Sequence, residues 1–359
     1  MIPGSPFLRP ARLEPIFSAR PWGARTLAPL FPEKSNLTEP LGEAWLTGAE
    51  CRFASGPFAG QKLGEVWRTL PPAWSGTKIS AADGSFPLLV KFIFAEEKLS
   101  VQVHPDDEYA ARHEQAAGGR GKTEMWYAIQ ARPGAEVLAG LKPGVSPETF
   151  QRAIEDGSAE DCLQHVPLRA GEAIFVPAGT AHTIGAGLVL CEIQEYSDLT
   201  YRVFDYNRRD AEGRSRELHI EKALQVIRFG EQRGGKILPA RIVRGGLTET
   251  YFAACRYFAA EKWEFAESAE RVAAATSPEH FELLIFLEGR GSIQWGGEAA
   301  EYAPAQTWLL PAALGAYYFA PREPTSLLRA YVPVPFEGFS HKLAAQGVNE
   351  ATLSRLVHP

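Results

Sequence analysis

Four cysteines and two methionines in 359 residues leave little room for sulfur chemistry. Cys51, Cys162, Cys191 and Cys255 stand far apart, with no CxxC pair and no regular spacing, which argues against a disulfide scaffold and a thiolate metal site. A reduced, cytoplasmic setting is the expectation, and the opening residues Met1–Arg9 lack the charged and apolar regions of a signal peptide. No stretch of membrane-spanning length is apolar throughout; even Trp308–Ala320 is broken by Pro311 and Gly315. Basic excess is missing too. Lys and Arg number 37 against 43 Asp and Glu, a net charge of -6, so neither nucleic acid nor an anionic membrane is the expected partner. An anionic small molecule would have to be held by locally placed cations.

What the chain has is punctuation. Its 33 glycines and 27 prolines separate short β-rich apolar segments, the pattern of antiparallel sandwiches or barrels, and 45% hydrophobic content suffices for one large core or two moderate ones. Helical signals are few. Asp106-Asp107-Glu108 opens a helix to about Ala116, so these acids read as caps and not as a catalytic pair. Ser146-Pro147-Glu148 starts another to about Asp156, and a third spans Ile220 to Arg228 between two β regions. From Ile237 strands return. Glu282-Leu-Leu-Ile-Phe-Leu-Glu-Gly289 echoes Glu124-Met-Trp-Tyr-Ala-Ile-Gln130, and Trp308–Pro311 echoes Ile174–Pro177. The expected class is all-β with a few helices, two jelly rolls in tandem over residues 1–230 and 231–359.

Chemistry concentrates in the first half. Ser100, Gln102 and His104 alternate onto one strand face, and Lys122 and Glu124 share another. Gly171-Glu-Ala-Ile-Phe-Val-Pro177-Ala-Gly179-Thr-Ala-His182 ends an apolar strand in a turn that presents His182. Two imidazoles and a carboxylate, His104, Glu124 and His182, with one open position suit a catalytic zinc. Gln102 would either complete the ligand set or orient His104 or a bound water. Lys122 points toward the same cavity unless it is a solvated strand end. His113, His165, His219, His280, His341 and His358 lie outside these motifs and read as surface or structural residues. After Pro311 no histidine stands where the first copy has His182, so the second copy is expected to lack the metal.

The spacing through His182 resembles the second motif of the cupin superfamily, and Gln102-x-His104 followed by Glu124 resembles a restricted form of the first. With Phe86–Phe94, Leu99–Tyr109 and Tyr201-Arg202-Val-Phe-Asp-Tyr206, the chain resembles the type I mannose-6-phosphate isomerases in their shorter bacterial form. The likeness runs from Pro21-Trp22-Gly23 to the C-terminus, is dense from Phe86 to Tyr206, thins beyond Phe229 and departs at Leu46–Glu50. It implies cupin-like jelly rolls with the metal site in the first, one Zn2+ per chain on His104, Glu124, His182 and Gln102, and a hexose phosphate substrate in a monomer or homodimer. The implied reaction interconverts mannose 6-phosphate and fructose 6-phosphate through an enediol. The resemblance makes Arg202, twenty residues after His182, the catalytic arginine, and makes Glu192 an acid/base candidate, while Lys122 would hold an anionic or polar group. Two other readings use the same residues: a non-haem iron oxygenase built on a two-His, one-carboxylate triad, and a metal-containing sugar-phosphate-binding protein without turnover.

Overall fold

The computed structural model describes residues 7–79, 84–209, 213–269 and 271–358. Four sheets stack in layers, antiparallel except where Val357–His358 joins Leu247–Cys255 in parallel. The first jelly roll pairs a five-stranded sheet, in spatial order Tyr201–Phe204, Val101–Val103, His182–Ile184, Glu136–Leu141 and Leu163–Pro167, with a seven-stranded one. The latter runs Gly235–Lys236, Ala173–Val176, Glu124–Ala131, Leu188–Glu195, Leu88–Ala95, Leu41–Trp45 and Ile16–Ala24. An eight-stranded sheet built around Glu282–Glu288, Thr325–Tyr331, Ala259–Phe265 and Leu247–Cys255 and a four-stranded sheet form the second roll. The chain crosses between them: Ala11–Leu13 pairs with Thr307–Leu310 of the second roll, and Gly235–Lys236 with Ala173–Val176 of the first.

Strand alternation decides which core each residue joins. In Glu124–Ala131, Trp126 and Ala128 face the interior of the first roll with Ile93, Ala95, Leu188 and Leu190. Met125 and Tyr127 face the other way, joining Phe92, Cys191 and Ile193 in a core shared with Phe252, Leu283, Ile285 and Leu328 of the second roll. The two large sheets therefore pack face to face, and the second roll has its own interior around Trp263, Leu284, Phe286, Tyr317 and Phe319.

The expected helices form. Asp106 caps Asp107–His113 by accepting from the Tyr109 N–H, and a separate 3-10 turn at Gln115–Ala117 follows, so the α-helix ends sooner than the acidic start suggested. Ser146 caps Pro147–Glu155, and Ile220–Val226 packs beside Tyr201–Phe204.

Candidate active site

Inward positions near one end of the first roll are polar, against the apolar rule of its interior. Glu124 and Trp126 share an inward face, Glu192 lies beside Trp126, and Lys91 lies beside Glu192 on the next strand. From the opposite sheet, His182 pairs with Gln102, and Gln102 pairs with Arg202. The turn before His182 needs Gly179. Its φ is +83°, and a Cβ there would sit 2.7 Å from the Arg228 side chain and 2.9 Å from the Val226 carbonyl. The Gly179 N–H donates to the His104 carbonyl at 2.8 Å, which ties the two histidine segments together.

His104, Glu124 and His182 converge with one ligand atom each inside 4.8 Å, all three buried. His104 Nδ1 lies 2.7 Å from the Leu199 carbonyl and His182 Nδ1 2.8 Å from that of Thr180. Each Nδ1 therefore carries the hydrogen, and each Nε2 turns a lone pair inward, 3.6 and 3.3 Å from Glu124 Oε1. Neither oxygen of Glu124 receives a hydrogen bond. Lys122 Nζ lies 2.8 Å from Oε2 as an ion pair, but off the direction a hydrogen bond needs. Burial works to raise the Glu124 carboxyl; the Lys122 charge overcomes it and holds the group well below the usual range. Burial pushes His182 down to about 3 and lowers His104, so both imidazoles are neutral, the form that binds a metal. The Gln102 amide completes the ring 3.3 Å from His182 Nε2.

Beside this group lies a cavity of about 460 Å³ lined by Gln102, Lys122, Glu192, Lys91, Ser100 and Arg202 among others. Trp126 Nε1 donates to Glu192 Oε2 at 3.1 Å, while Lys122 and Lys91 each stand 3.8 Å from Oε1. Burial pushes the Glu192 carboxyl up to about 7, assisted by Glu124 and opposed by the lysines. Arg202 Nε donates to Ser100 Oγ at 3.2 Å and Nη1 to the Glu217 carbonyl at 3.0 Å.

All seven residues singled out in the sequence thus meet at one end of the roll. Others were missed. Lys91 pairs with Asp198 at 2.8 Å and lies over the Trp45 ring; a lysine inside the apolar run Leu88–Ala95 was its signal. His219, read as a surface or structural residue, lines the cavity because its Nδ1 accepts from the Arg202 N–H at 3.3 Å, a contact between a helix start and a strand that spacing does not reveal.

A jelly roll with a buried His–Glu–His group opening on a polar cavity is a cupin of the metal-binding, enzymatic type. Residues 11–132 match the catalytic domain model of type I phosphomannose isomerase. Over 314 residues the chain is 36% identical to a probable mannose-6-phosphate isomerase of Bacillus subtilis (strain 168), covering 86% of this chain and 95% of that one. A second mannose-6-phosphate isomerase of that organism is 35% identical over 86% of this chain and 95% of its own. The crystal structure of mannose 6-phosphate isomerase from Bacillus subtilis superposes with a TM-score of 0.81 at 30% identity, covering 89% of this chain and 99% of the other. A zinc-bound mannose 6-phosphate isomerase shares the fold, with a TM-score of 0.70 at 17% identity over 90% and 99% of the two chains. The chain belongs to the type I mannose-6-phosphate isomerase family.

Proposed function

We propose that this chain interconverts mannose 6-phosphate and fructose 6-phosphate through an enediol, with one zinc ion held by His104, Glu124, His182 and Gln102. One observation carries the reading: a buried carboxylate without a hydrogen-bond donor faces two inward imidazole lone pairs at the wall of a cavity that also holds Glu192, Lys122 and Arg202. Lys122 stands 2.8 Å from one oxygen, Oε2, so the orphaned buried acceptor is Oε1, which costs stability unless a cation takes it up, and the N2O donor set fits zinc. Zinc bound there would supply Lewis-acid polarisation of a sugar oxygen.

The protein's own groups supply the rest. The reaction takes a proton from one of the carbons C1 and C2 and returns one to the other, with no net oxidation, so it needs a group that is both base and acid at neutral pH. Glu192, near 7, is present in both forms there and has one oxygen fixed by Trp126. Lys122 holds a sugar oxygen by charge. Arg202, oriented by Ser100 and the Glu217 carbonyl before any substrate arrives, stabilises negative charge as it develops on the enediolate.

The test joins metal analysis of purified protein to a coupled assay of fructose 6-phosphate formation. Chelation is expected to abolish turnover and zinc to restore it. Full turnover in metal-free protein, or none in zinc-loaded protein, would reject the proposal.

A further inference from the structure

We infer that Asp107, held in place by Tyr257 of the second roll, is a positioning residue for the reaction: it fixes the segment Gly121–Thr123 and so sets Lys122 against Glu124 and Glu192. The inference rests on the reading above, which gives Lys122 a part in catalysis, and it gives the second roll a share in the first roll's site.

Lys122 stands just outside regular structure. The strand Glu124–Ala131 begins at Glu124 itself, where pairing to Gln194 and Val176 starts, so the buried N–H groups of Gly121, Lys122 and Thr123 have no strand partners. Buried backbone donors need acceptors, and all three find one elsewhere. The Gly121 N–H donates to Asp107 Oδ1 at 2.9 Å, that of Lys122 to the Pro105 carbonyl at 3.0 Å, and that of Thr123 to Glu195 Oε1 at 2.6 Å. Two side-chain carboxylates and one carbonyl thus do the work of a neighbouring strand. The segment also lies hard against the helix start: a Cβ on Gly121 would sit 2.6 Å from the Asp107 nitrogen, so glycine is what lets the short Asp107 side chain reach it.

Both acids at this helix start read as caps in the sequence, and Asp106 alone fills that post by accepting from the Tyr109 N–H. The Asp107 carboxylate reaches further along the chain. While Oδ1 takes Gly121, Oδ2 accepts from the Tyr257 hydroxyl at 2.7 Å. Tyr257 sits in the turn between Leu247–Cys255 and Ala259–Phe265, so this bond crosses from one roll to the other. Its neighbour Arg256 stands 3.5 Å from the same oxygen, but with its side chain 63% exposed it adds little. With both oxygens engaged, the carboxylate's rotation is fixed, and with it the place of the Gly121 N–H.

Placement matters at Lys122 because of what its ammonium touches. Nζ lies 2.8 Å from Glu124 Oε2, 3.3 Å from His104 Nε2 and 3.8 Å from Glu192 Oε1, all in a buried setting. A lysine head rides on a flexible four-carbon stem, so its position depends on where the backbone starts it. Where solvent is excluded, charge interactions change steeply with distance, and misplacing a catalytic group by about 1 Å can cost about a hundredfold in rate.

The test is a double-mutant cycle in zinc-loaded enzyme. Asp107→Ala removes the acceptor for Gly121, and kcat/KM for mannose 6-phosphate should fall about tenfold or more while zinc content stays full. Asp107→Asn keeps a carbonyl oxygen for that N–H and should recover most of the loss. Tyr257→Phe leaves Asp107 bound at one oxygen and open to water at the other, and should cost about threefold. In a Lys122→Ala background, Asp107→Ala should cost less than about twofold more, because the group it positions is gone. A residue that served only the fold would cut activity by the same factor in both backgrounds. That result, or unchanged kcat/KM in folded Asp107→Ala, would overturn the inference. Should Asp107→Ala fail to fold, Tyr257→Phe carries the same cycle. If the wild type does not turn over mannose 6-phosphate, the proposed function fails by itself. Hydrogen exchange resolved at Gly121 then decides the clamp: exchange about tenfold faster in Asp107→Ala or Tyr257→Phe, with Asp107→Asn near wild type, upholds it, and equal exchange in all four proteins rejects it.

Discussion

At Glu192 one oxygen is fixed by the Trp126 indole and the other stands between two ammonium groups. Replacing the carboxyl by an amide keeps shape and removes the proton exchange. Glu192→Gln should lower kcat at least about a hundredfold, with zinc content and the sugar's KM little changed, because general acid–base groups contribute on that scale. Steady-state kinetics and metal stoichiometry on one preparation check it; wild-type turnover would remove Glu192 from the chemistry. His182→Ala behaves differently. It takes away one of the three inward ligand atoms, so zinc content and activity should fall together, and full zinc with near-normal turnover would exclude the residue. Neither effect should depend on oxygen, since the proton shift consumes none; oxygen uptake coupled to product would favour the iron oxygenase instead.

At the scale of single elements, the strand Leu188–Glu195 ends in a second buried carboxyl. Glu195 accepts from the Thr123 N–H at 2.6 Å, and burial, reinforced by Asp107, pushes it up from 4.5 to about 8. The native state therefore binds a proton that the unfolded chain releases. Its contribution to stability is fully present below about pH 4.5 and is lost as pH rises through about 8, with a slope up to about 1.4 kcal/mol per pH unit between. Glu195→Gln keeps an acceptor for Thr123 and should flatten that slope. Denaturant unfolding of zinc-saturated protein at several pH values compares the two, and parallel curves would show that Glu195 titrates normally. Elements of this kind were legible in part. The caps at Asp106 and Ser146, the alternation of Gln102 and His104 and the Pro/Gly turn before His182 depend on neighbours along the chain, so sequence exposes them. The Glu195–Thr123 bond and the Lys91–Glu192 contact depend on cross-strand register, and the place of His219 on how its helix start docks on Tyr201–Phe204, neither of which sequence spacing fixes.

Across the whole molecule, the echo between the two halves extends to their charges. In the first roll a row runs Trp126, Glu192, Lys91, Trp45 across four strands; in the second the corresponding row is Leu284, Arg329, Glu261, Tyr251. Cation and carboxylate have exchanged places. Glu282, which echoes Glu124, is held by a guanidinium: Arg329 Nε donates to its Oε2 at 3.0 Å, and Tyr317 lies 3.3 Å from the same oxygen. The second roll thus satisfies with a guanidinium the buried carboxylates that the first sets among lysines and histidines. The repeated strand segments were visible in the sequence, but the exchange was not, because Glu261 and Arg329 lie in segments with no repeat signal. Arg329→Met would leave Glu261 and Glu282 buried and unpaired, at a cost of about 3–5 kcal/mol. Adding Glu261→Gln and Glu282→Gln should recover most of it, since neutral groups need no counter-charge. The two large sheets share one core, so the loss should lower a single unfolding transition for the whole chain. Zinc content and kcat per folded molecule should stay at wild-type levels, because Arg329 does not reach the first roll's cavity. Calorimetry with activity measured below the transition checks both parts. A cost under about 1 kcal/mol would mean that solvent already screens the triad, and a separate low-temperature transition of the second roll would mean that the shared core does not couple the halves.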